Sequence, residues 1–349
     1  MTEQAAQSVV EVGVPRVWSD RSLWARASVG IVRFLKSKPL GTFGILVIGV
    51  MLIMAIFANQ LDRYDPKLVF KGGGPNPNYD AELAAKAKTD ISVRLQHDES
   101  VFIEFLDDVI LANERPSSEH WLGTDTFGRD LYARIIHGAR VSLYVGIGAA
   151  LLAVIVGTVL GVVSAYFSGV VDVVIQRFVD SLQAFPGLIL LLLMIQVVDQ
   201  PSLPYITLAL GILGIAPVIR IVRSAVLTTR EETYILAARS VGASDGRIMM
   251  SHILPNIMAP IIVIFSTSIS VYVLAEAGLA FLGFGDPTAI SWGKMVNEGR
   301  LLGASEPLMA LWTGLAITIA VLGFSLFGDA LRDALDPRLR GRGGGRPGF

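Results

Sequence analysis

Six apolar segments, each close to the length that crosses a lipid bilayer, dominate the sequence. They cover residues 40–58, 139–167, 181–198, 205–224, 257–282 and 309–328. A transmembrane helix needs about 20 predominantly apolar residues. Charged residues make up only 17% of the chain, whereas soluble domains usually carry about 25%. The sequence therefore predicts an all-α membrane protein with six transmembrane helices.

Lys and Arg residues gather at three places along the chain. They precede the first apolar segment, occupy the loop between the fourth and fifth, and follow the sixth. Six spans place all three clusters on one side of the membrane, and cytoplasmic loops carry an excess of Lys and Arg. Both termini are therefore predicted to be cytoplasmic. The net charge is −1, so no basic field is available to bind nucleic acid.

The segments outside the spans give the chain its predicted organisation. Residues 1–39 form a cytoplasmic segment, in which 21–38 mix apolar side chains with cations as an interfacial helix does. A basic anchor without fixed structure is the alternative for this stretch. After the first transmembrane helix at 40–58, the five remaining helices form a core over 139–328, and residues 329–349 form a basic cytoplasmic tail.

Residues 59–138 are predicted to form an extracytoplasmic insert between the first two transmembrane helices. Gly and Pro residues at 72–77 are typical of turns. The apolar stretch 101–111 fits a short helix or a strand equally well, because its periodicity does not decide. The insert could contact a substrate-delivery protein or act only as a packing lid.

The sequence lacks the residue patterns of an enzyme. It contains no G-x-x-x-x-G-K-[ST] phosphate loop, so this chain is not expected to hydrolyse ATP itself. Its four histidines fall outside the predicted spans, and none stands at metal-ligand spacing with another. No catalytic residue, metal site or cofactor is predicted.

Glu276 is a carboxyl group predicted to lie inside the fifth span. A charge in the membrane is costly, so such a residue usually faces a cavity or a partner. A proton or substrate role is one interpretation. A structural hydrogen bond to a neighbouring helix is favoured, because the span contains no second ionisable residue to form a relay.

Small residues form a regular stripe on the second span. They recur at every fourth position, at Ala149, Ala153, Gly157, Gly161 and Ala165. In lipid such stripes let two helix backbones approach closely. The stripe therefore predicts a tight helix–helix interface with a structural role.

The loop at 229–256 is too polar to cross a bilayer, although both of its neighbours are apolar enough to do so. It lies on the predicted cytoplasmic side and carries several arginines, which suits a docking surface for a soluble partner. Ala237 and Ala238 would allow a partner to approach closely, and Gly242 would permit a sharp turn after a short helix.

Five ordered motifs resemble those of the inner-membrane permeases of peptide-type ABC importers, specifically the C-type subunit of the dipeptide/oligopeptide family. They lie at 120–146, 178–186, 229–256, 276–300 and 328–340. The resemblance implies a type I ABC importer permease fold in a bacterial or archaeal cytoplasmic membrane. It also implies four partners beside the lipid bilayer: a homologous second permease, two ATP-binding cassette ATPases and an extracytoplasmic solute-binding protein.

The resemblance also implies a role for the polar loop, which in this family couples the permease to its ATPase. The implied coupling residues are Tyr234, Leu236, Ala237, Ala238, Arg239, Gly242, Ala243 and Asp245. Leu236 stands where the broad family pattern has Glu, which removes an ionic contact unless Glu231 or Glu232 supplies one. His252 stands where that pattern prefers Ile, and the peptide-type subgroup often has His there.

Peptides are the substrate that the resemblance favours. Relatives of this type also carry nickel chelates, glutathione or oligosaccharides, and these remain alternatives. A secondary transporter is a less favoured alternative from another class, because it would need broken helices or a pair of ion-relay carboxylates near the membrane midplane.

Overall fold

The structure is a computed structural model that describes residues 38–68, 71–75, 108–110, 113–198, 201–301 and 307–335. The interfacial helix expected at 21–38 lies outside the described residues except for Lys38. Most of the insert and the tail beyond residue 335 also lie outside them.

Helices account for nearly all of the described secondary structure. In chain order the elements are α1 (Pro39–Ile56), α2 (Ala58–Leu61), β1 (Lys71–Pro75), β2 (Asp108–Ile110), α3 (Leu131–Phe167), α4 (Gly169–Gln183), α5 (Gly187–Gln196), α6 (Leu203–Thr229), α7 (Thr233–Ser240), α8 (Asp245–Arg247), a π-helical turn (Ile248–Ile253), α9 (Leu254–Asn256), α10 (Met258–Phe281), α11 (Trp292–Leu301) and α12 (Leu308–Leu335).

Five of these helices are long and apolar enough to cross a membrane, namely α1, α3, α6, α10 and α12. The helices α4 and α5 make a sixth span if the two are counted together. The all-α membrane fold predicted from the sequence is therefore confirmed.

The third predicted span, 181–198, is not a single helix as expected. It consists of the end of α4 and the whole of α5, and the axes of these two helices are bent by 84°. Pro186 separates them, because proline lacks a backbone N–H and disfavours helical geometry in the residue before it. The apolar part that follows Pro186 is only 10 residues long.

α3 and α12 extend furthest beyond their predicted bounds. α3 begins at Leu131 rather than at residue 139, and the side chain of Asp130 accepts a hydrogen bond from the backbone N–H of Ala133 at its N-terminus. That bond satisfies one of the free N–H groups of the first turn. α12 continues past residue 328 to Leu335. Both extensions are helical turns that include charged and polar side chains, so a search for apolar segments does not detect them.

The described part of the insert contains a short antiparallel pair of strands. Lys71 of β1 stands opposite Ile110 of β2, and Pro75 stands opposite Asp108. The turn predicted at 72–77 is therefore wrong for Gly72–Pro75, which lie in β1. Of the two alternatives for 101–111, the strand is correct over Asp108–Ile110, because pairing with a distant segment rather than local periodicity decides its conformation.

The interface of α3 with α6 is built on the predicted stripe of small residues, all of which are buried. A Cβ atom on Gly157 would lie 2.6 Å from the Cβ of Val218. A Cβ on Gly161 would lie 2.9 Å from the Cβ of Val222. Each valine thus occupies the space that a glycine leaves free. The predicted tight interface is confirmed, and it joins α3 to α6.

Candidate coupling site

The polar loop at 229–256 folds into a short helix followed by a second, irregular helical segment. α7 turns Ile235 inward, where it is fully buried, and leaves Tyr234 and Leu236 exposed by 41% and 48% of their surfaces. Ala237 and Arg239 are exposed as well. The helix therefore rests on the bundle by one apolar side chain and presents its remaining faces outward.

Gly242 ends α7 in a sharp turn. Its φ is +82°, a conformation that residues with a side chain rarely adopt. The N–H of Gly242 bonds to the carbonyl of Arg239, and the N–H of Ala243 bonds to the carbonyl of Ala238. This pair of bonds is the Schellman motif, which satisfies the last carbonyls of a helix. The sharp turn predicted at Gly242 is confirmed.

The eight residues implied for coupling lie in one continuous stretch, and six of them are exposed. The exposed residues are Tyr234, Leu236, Ala237, Arg239, Gly242 and Asp245. Ala238 and Ala243 are partly buried at the base of the turn. Glu231, a possible substitute for the missing family glutamate, pairs with its neighbour Arg230 at 3.0 Å.

Three hydrogen bonds fasten the loop and its surroundings to the end of α3. The hydroxyl of Tyr166 donates to Oδ1 of Asp245 at 2.6 Å. Arg230 donates from Nη1 to the carbonyl of Ala165 at 2.6 Å and also to the hydroxyl of Ser168. These contacts could not be predicted from the sequence, because Tyr166 and Asp245 are 79 positions apart and no local pattern relates them.

An ion pair joins α4 to α6 close to the end of α3. Arg223 donates from Nε and Nη2 to the two carboxylate oxygens of Asp172, at 2.7 Å and 2.6 Å. Ser164 of α3 donates to Oδ1 of the same carboxylate at 2.5 Å. Bidentate Arg–carboxylate pairs fix geometry as well as adding energy. The ends of three helices are therefore held together next to the loop.

Glu276 is buried, with 2% of its surface exposed. The hydroxyl of Ser291 donates to Oε1 of Glu276 at 2.7 Å. Among the described residues, no group bonds to its other oxygen, Oε2. A structural hydrogen bond is the interpretation favoured from the sequence, and Glu276 makes one, but its donor lies just before α11 rather than in a neighbouring transmembrane helix. The carboxyl group thus fastens α11 to α10.

A buried charge cluster holds the other side of α11. Asp125 is fully buried and accepts from Nε of Arg129 at 2.7 Å, and Nε of Arg134 lies 3.3 Å from it. Glu298 of α11 lies 3.6 Å from each arginine. Burial raises the pKa of Glu298, and Arg134 and Arg129 oppose that shift. Asp125, Arg129 and Arg134 lie in the motif at 120–146, whose closely spaced charges are the signal from which this part of the cluster could have been predicted, whereas Glu298 lies in the motif at 276–300.

An apolar cavity of about 410 Å³ lies between α5, α6 and α10. Ser268 and Tyr272 are the polar side chains among its lining residues, which otherwise include Leu188, Leu210 and Val271. Among the residues that the structure describes, no three His, Asp or Glu side chains are grouped as metal ligands. The described surfaces therefore offer a contact site on the loop and an apolar recess in the bundle.

Comparison with known proteins decides the class of this bundle. Residues 157–341 match the family model described as a binding-protein-dependent transport system inner membrane component. The match includes α6, the loop and α10. The chain belongs to this family. The permease resemblance stated from the five motifs is thereby confirmed.

The permease is similar over most of its length to curated relatives. It is 37% identical to a dipeptide transport system permease protein of Alkalihalophilus pseudofirmus over 88% of each chain. It is 42% identical to a glutathione transport system permease protein of Pectobacterium atrosepticum, over 65% of this chain and 76% of the relative. It is 44% identical to a putative peptide transport system permease protein of Brucella suis, over 65% and 77%. The chain is therefore a multi-pass membrane subunit of a transport system.

Proposed function

We propose that the permease forms half of the translocation pathway of an ATP-driven importer for di- or oligopeptides. The observation that carries this proposal is the similarity to a dipeptide permease over 88% of the chain. Two further relatives are named for glutathione and for peptides. Glutathione is itself a tripeptide, so all three names share amide-linked amino acids as the transported chemistry.

The proposal includes four partners of the permease. A homologous second permease completes the pathway, two ATP-binding cassette subunits hydrolyse ATP, and an extracytoplasmic solute-binding protein delivers the peptide. The outward-facing surface of α7, with Tyr234, Leu236 and Arg239 exposed, supports docking of an ATPase. Such a contact places a short helix in a groove of its partner. Because Leu236 carries no charge, the contact at that position would be apolar.

The mechanism follows from the position of the loop between two spans. Closure of the ATPase dimer on ATP would draw the two coupling loops of the permease pair together. The helix bundles would then rotate as rigid bodies, a common mode of switching in proteins. Both termini and the loop would face the cytoplasm, and the insert at 59–138 would face the solute-binding protein. The permease core would span residues 139–328.

Glutathione is the alternative substrate that a specific observation supports, because one relative is named for it. Nickel chelates and oligosaccharides remain alternatives from the resemblance stated above. A secondary transporter is disfavoured because the chain belongs to a binding-protein-dependent transport family, although α4 and α5 do form a broken span. The bond from Ser291 gives the carboxyl group of Glu276 a structural partner.

Co-purification tests the proposal. The permease would be expressed with its neighbouring permease and ATPase genes, extracted in mild detergent, and weighed intact by native mass spectrometry. We expect one copy of this chain, one second permease and two ATPase subunits. Dipeptides and glutathione would then be compared as stimulants of ATP hydrolysis in the presence of the binding protein. A stable assembly without ATPase would contradict the proposal.

A further inference from the structure

The last turn of α3 is the place where both halves of the coupling loop are attached to the bundle. Arg230, at the start of the loop, bonds to the carbonyl of Ala165 and to Ser168. Asp245, in the second half of the loop, accepts from the hydroxyl of Tyr166 at 2.6 Å. Within a single helical turn, α3 therefore contacts the loop on both sides of α7.

The two partners of the Tyr166–Asp245 bond lie in different surroundings. Tyr166 is buried, with 9% of its surface exposed, whereas Asp245 is exposed on the loop. Hydrogen bonds from a hydroxyl to a carboxylate are short and strong compared with neutral ones. The guanidinium of Arg239 also lies 5.9 Å from the ring of Tyr166. One buried side chain thus contacts two of the residues implied for coupling.

The chain changes direction just beyond this turn. Ser168 has a φ of +54° and Gly169 has a φ of +56°, so α3 ends abruptly and α4 begins. A serine in this left-handed region is strained and must be held by its surroundings. Arg230 bonds to its hydroxyl, and Asp172 in the first turn of α4 is held by Arg223. A shift of the last turn of α3 would therefore be passed to α4.

The covalent route from the loop to α10 is less regular. It runs through α8, the π-helical turn Ile248–Ile253 and α9, each of six residues or fewer. π-Helical turns are rare and often occur at functional sites. The Tyr166–Asp245 bond bypasses this segment and joins the loop directly to a helix of 37 residues.

We propose that Tyr166 is a positioning residue that acts through Asp245 and transmits movement of the coupling loop to α3 and to the α3–α4 corner. This inference rests on the proposed docking of an ATPase on the loop. It assigns a role in coupling to a side chain outside the loop itself. Movement of the loop is passed on by this bond and by Arg230 together.

The test compares Tyr166→Phe with the wild-type permease in the complete complex reconstituted in lipid. The substitution removes one hydroxyl and keeps the ring beside Arg239. We expect the ATPase to co-purify in unchanged amount and the melting temperature to be unchanged. The ratio of binding-protein-stimulated to basal ATP hydrolysis should fall at least about fivefold, since coupling energies between sites typically correspond to about 5–150-fold effects.

Two further variants separate coupling from folding. Tyr132→Phe removes a hydroxyl at the other end of α3, where the ring packs against Trp121, and should keep the wild-type ratio. Asp245→Ala should lower the ratio, and adding it to Tyr166→Phe should cause little further loss, because residues that share one interaction are not additive. If Tyr166→Phe fails to assemble, Asp245→Ala provides the same measurement from a surface position.

The outcomes distinguish this inference from the function on which it rests. Independent, additive effects of the two substitutions, or a wild-type ratio in Tyr166→Phe, would overturn the inference and leave the importer proposal intact. A wild-type complex that holds no ATPase would overturn both.

Discussion

Trp292 donates a hydrogen bond from its indole Nε1 to the carbonyl of Ile135 at 2.9 Å. The indole ring lies directly against Gly138, in the space that a side chain at that position would fill. A Cβ atom on Gly138 would lie 2.3 Å from that Nε1. Because Trp292 is almost completely buried, it has no space into which it could move. The contact between α11 and α3 therefore requires glycine at position 138.

Gly138→Ala is expected to lower the free energy of unfolding by about 1–3 kcal/mol, the usual cost of overpacking a core. Thermal unfolding of the purified wild-type and Gly138→Ala permeases would measure this loss of stability. Gly314→Ala is the matched control on α12, where nothing lies within 4 Å of an added Cβ. It should be neutral or stabilising by up to about 1 kcal/mol, because alanine favours helices. Equal effects of the two substitutions would contradict the packing described.

Asp125→Ala should be among the more damaging changes outside the membrane core. It would leave Arg134 buried without its principal carboxylate, and breaking one partner of a buried ion pair costs about 3–5 kcal/mol. Asp180→Ala is the comparison, since its pair with Arg220 at 2.8 Å is about half exposed. Exposed pairs contribute about 0–1 kcal/mol. Similar melting temperatures for the two variants would rule out a structural role for the buried cluster.

Ser291→Ala and Glu276→Gln test the role of the buried carboxyl group. Ser291→Ala removes the donor to Glu276 and should cost about 1–3 kcal/mol, the penalty for an unsatisfied buried polar group. Glu276→Gln keeps an acceptor oxygen for Ser291 and removes a buried charge, so its effect should be smaller. Transport should survive Glu276→Gln. A stable Glu276→Gln complex that no longer transports would instead show a proton or substrate role.

Asp286 should make the free energy of unfolding of the permease depend on pH. Its partial burial tends to raise the pKa, but hydrogen bonds from Thr288 and from the N–H of Leu203 outweigh this and lower the pKa below 3.8. A lowered carboxyl pKa contributes stability above the unfolded value, and that stability is lost as the pH falls through the folded value. Asp286→Asn should therefore destabilise the permease at about pH 6, and the difference from wild type should shrink below pH 3.8. If the difference in stability between Asp286→Asn and wild type did not change with pH, the stabilising role of the Asp286 carboxylate would be refuted.

Gly242→Asp is expected to abolish binding-protein-stimulated ATP hydrolysis while the permease still inserts in the membrane. Position 242 is exposed, and nothing lies within 4 Å of an added Cβ, so the change alters the surface that we propose for docking. Gly242→Asn is the control, because asparagine tolerates positive φ and adds no charge. It should keep more of the stimulation than aspartate does. Normal coupled turnover in Gly242→Asp would refute the docking proposal.

The sequence predicted the features that depend on composition and on short-range spacing. Apolar length located the long helices, because each crosses a medium that excludes unsatisfied backbone groups. The four-residue spacing from Ala149 to Ala165 predicted an interface that packs closely. Gly242 predicted a turn, because the sharp end of a helix favours a residue without a Cβ.

Features that depend on distant partners could not be predicted in the same way. Pro186 indicates a break, but it does not indicate the angle of 84° between α4 and α5. Nothing near Asp172 in the sequence points to Arg223, 51 positions away. β1 exists only because β2 pairs with it, so a Gly-rich segment that resembles a turn becomes a strand. The role of the coupling residues remains a prediction.

The valines that occupy the glycine positions between α3 and α6 restrict how this transporter subunit can change shape. Val218 and Val222 are one helical turn apart, and so are Gly157 and Gly161, which receive them. A turn of helix advances about 5.4 Å, so any smaller slip along the axis would press valine methyl groups against a neighbouring backbone. The two helices are therefore expected to move together as one rigid unit, so that a displacement of their ends beside the coupling loop would also displace their opposite ends.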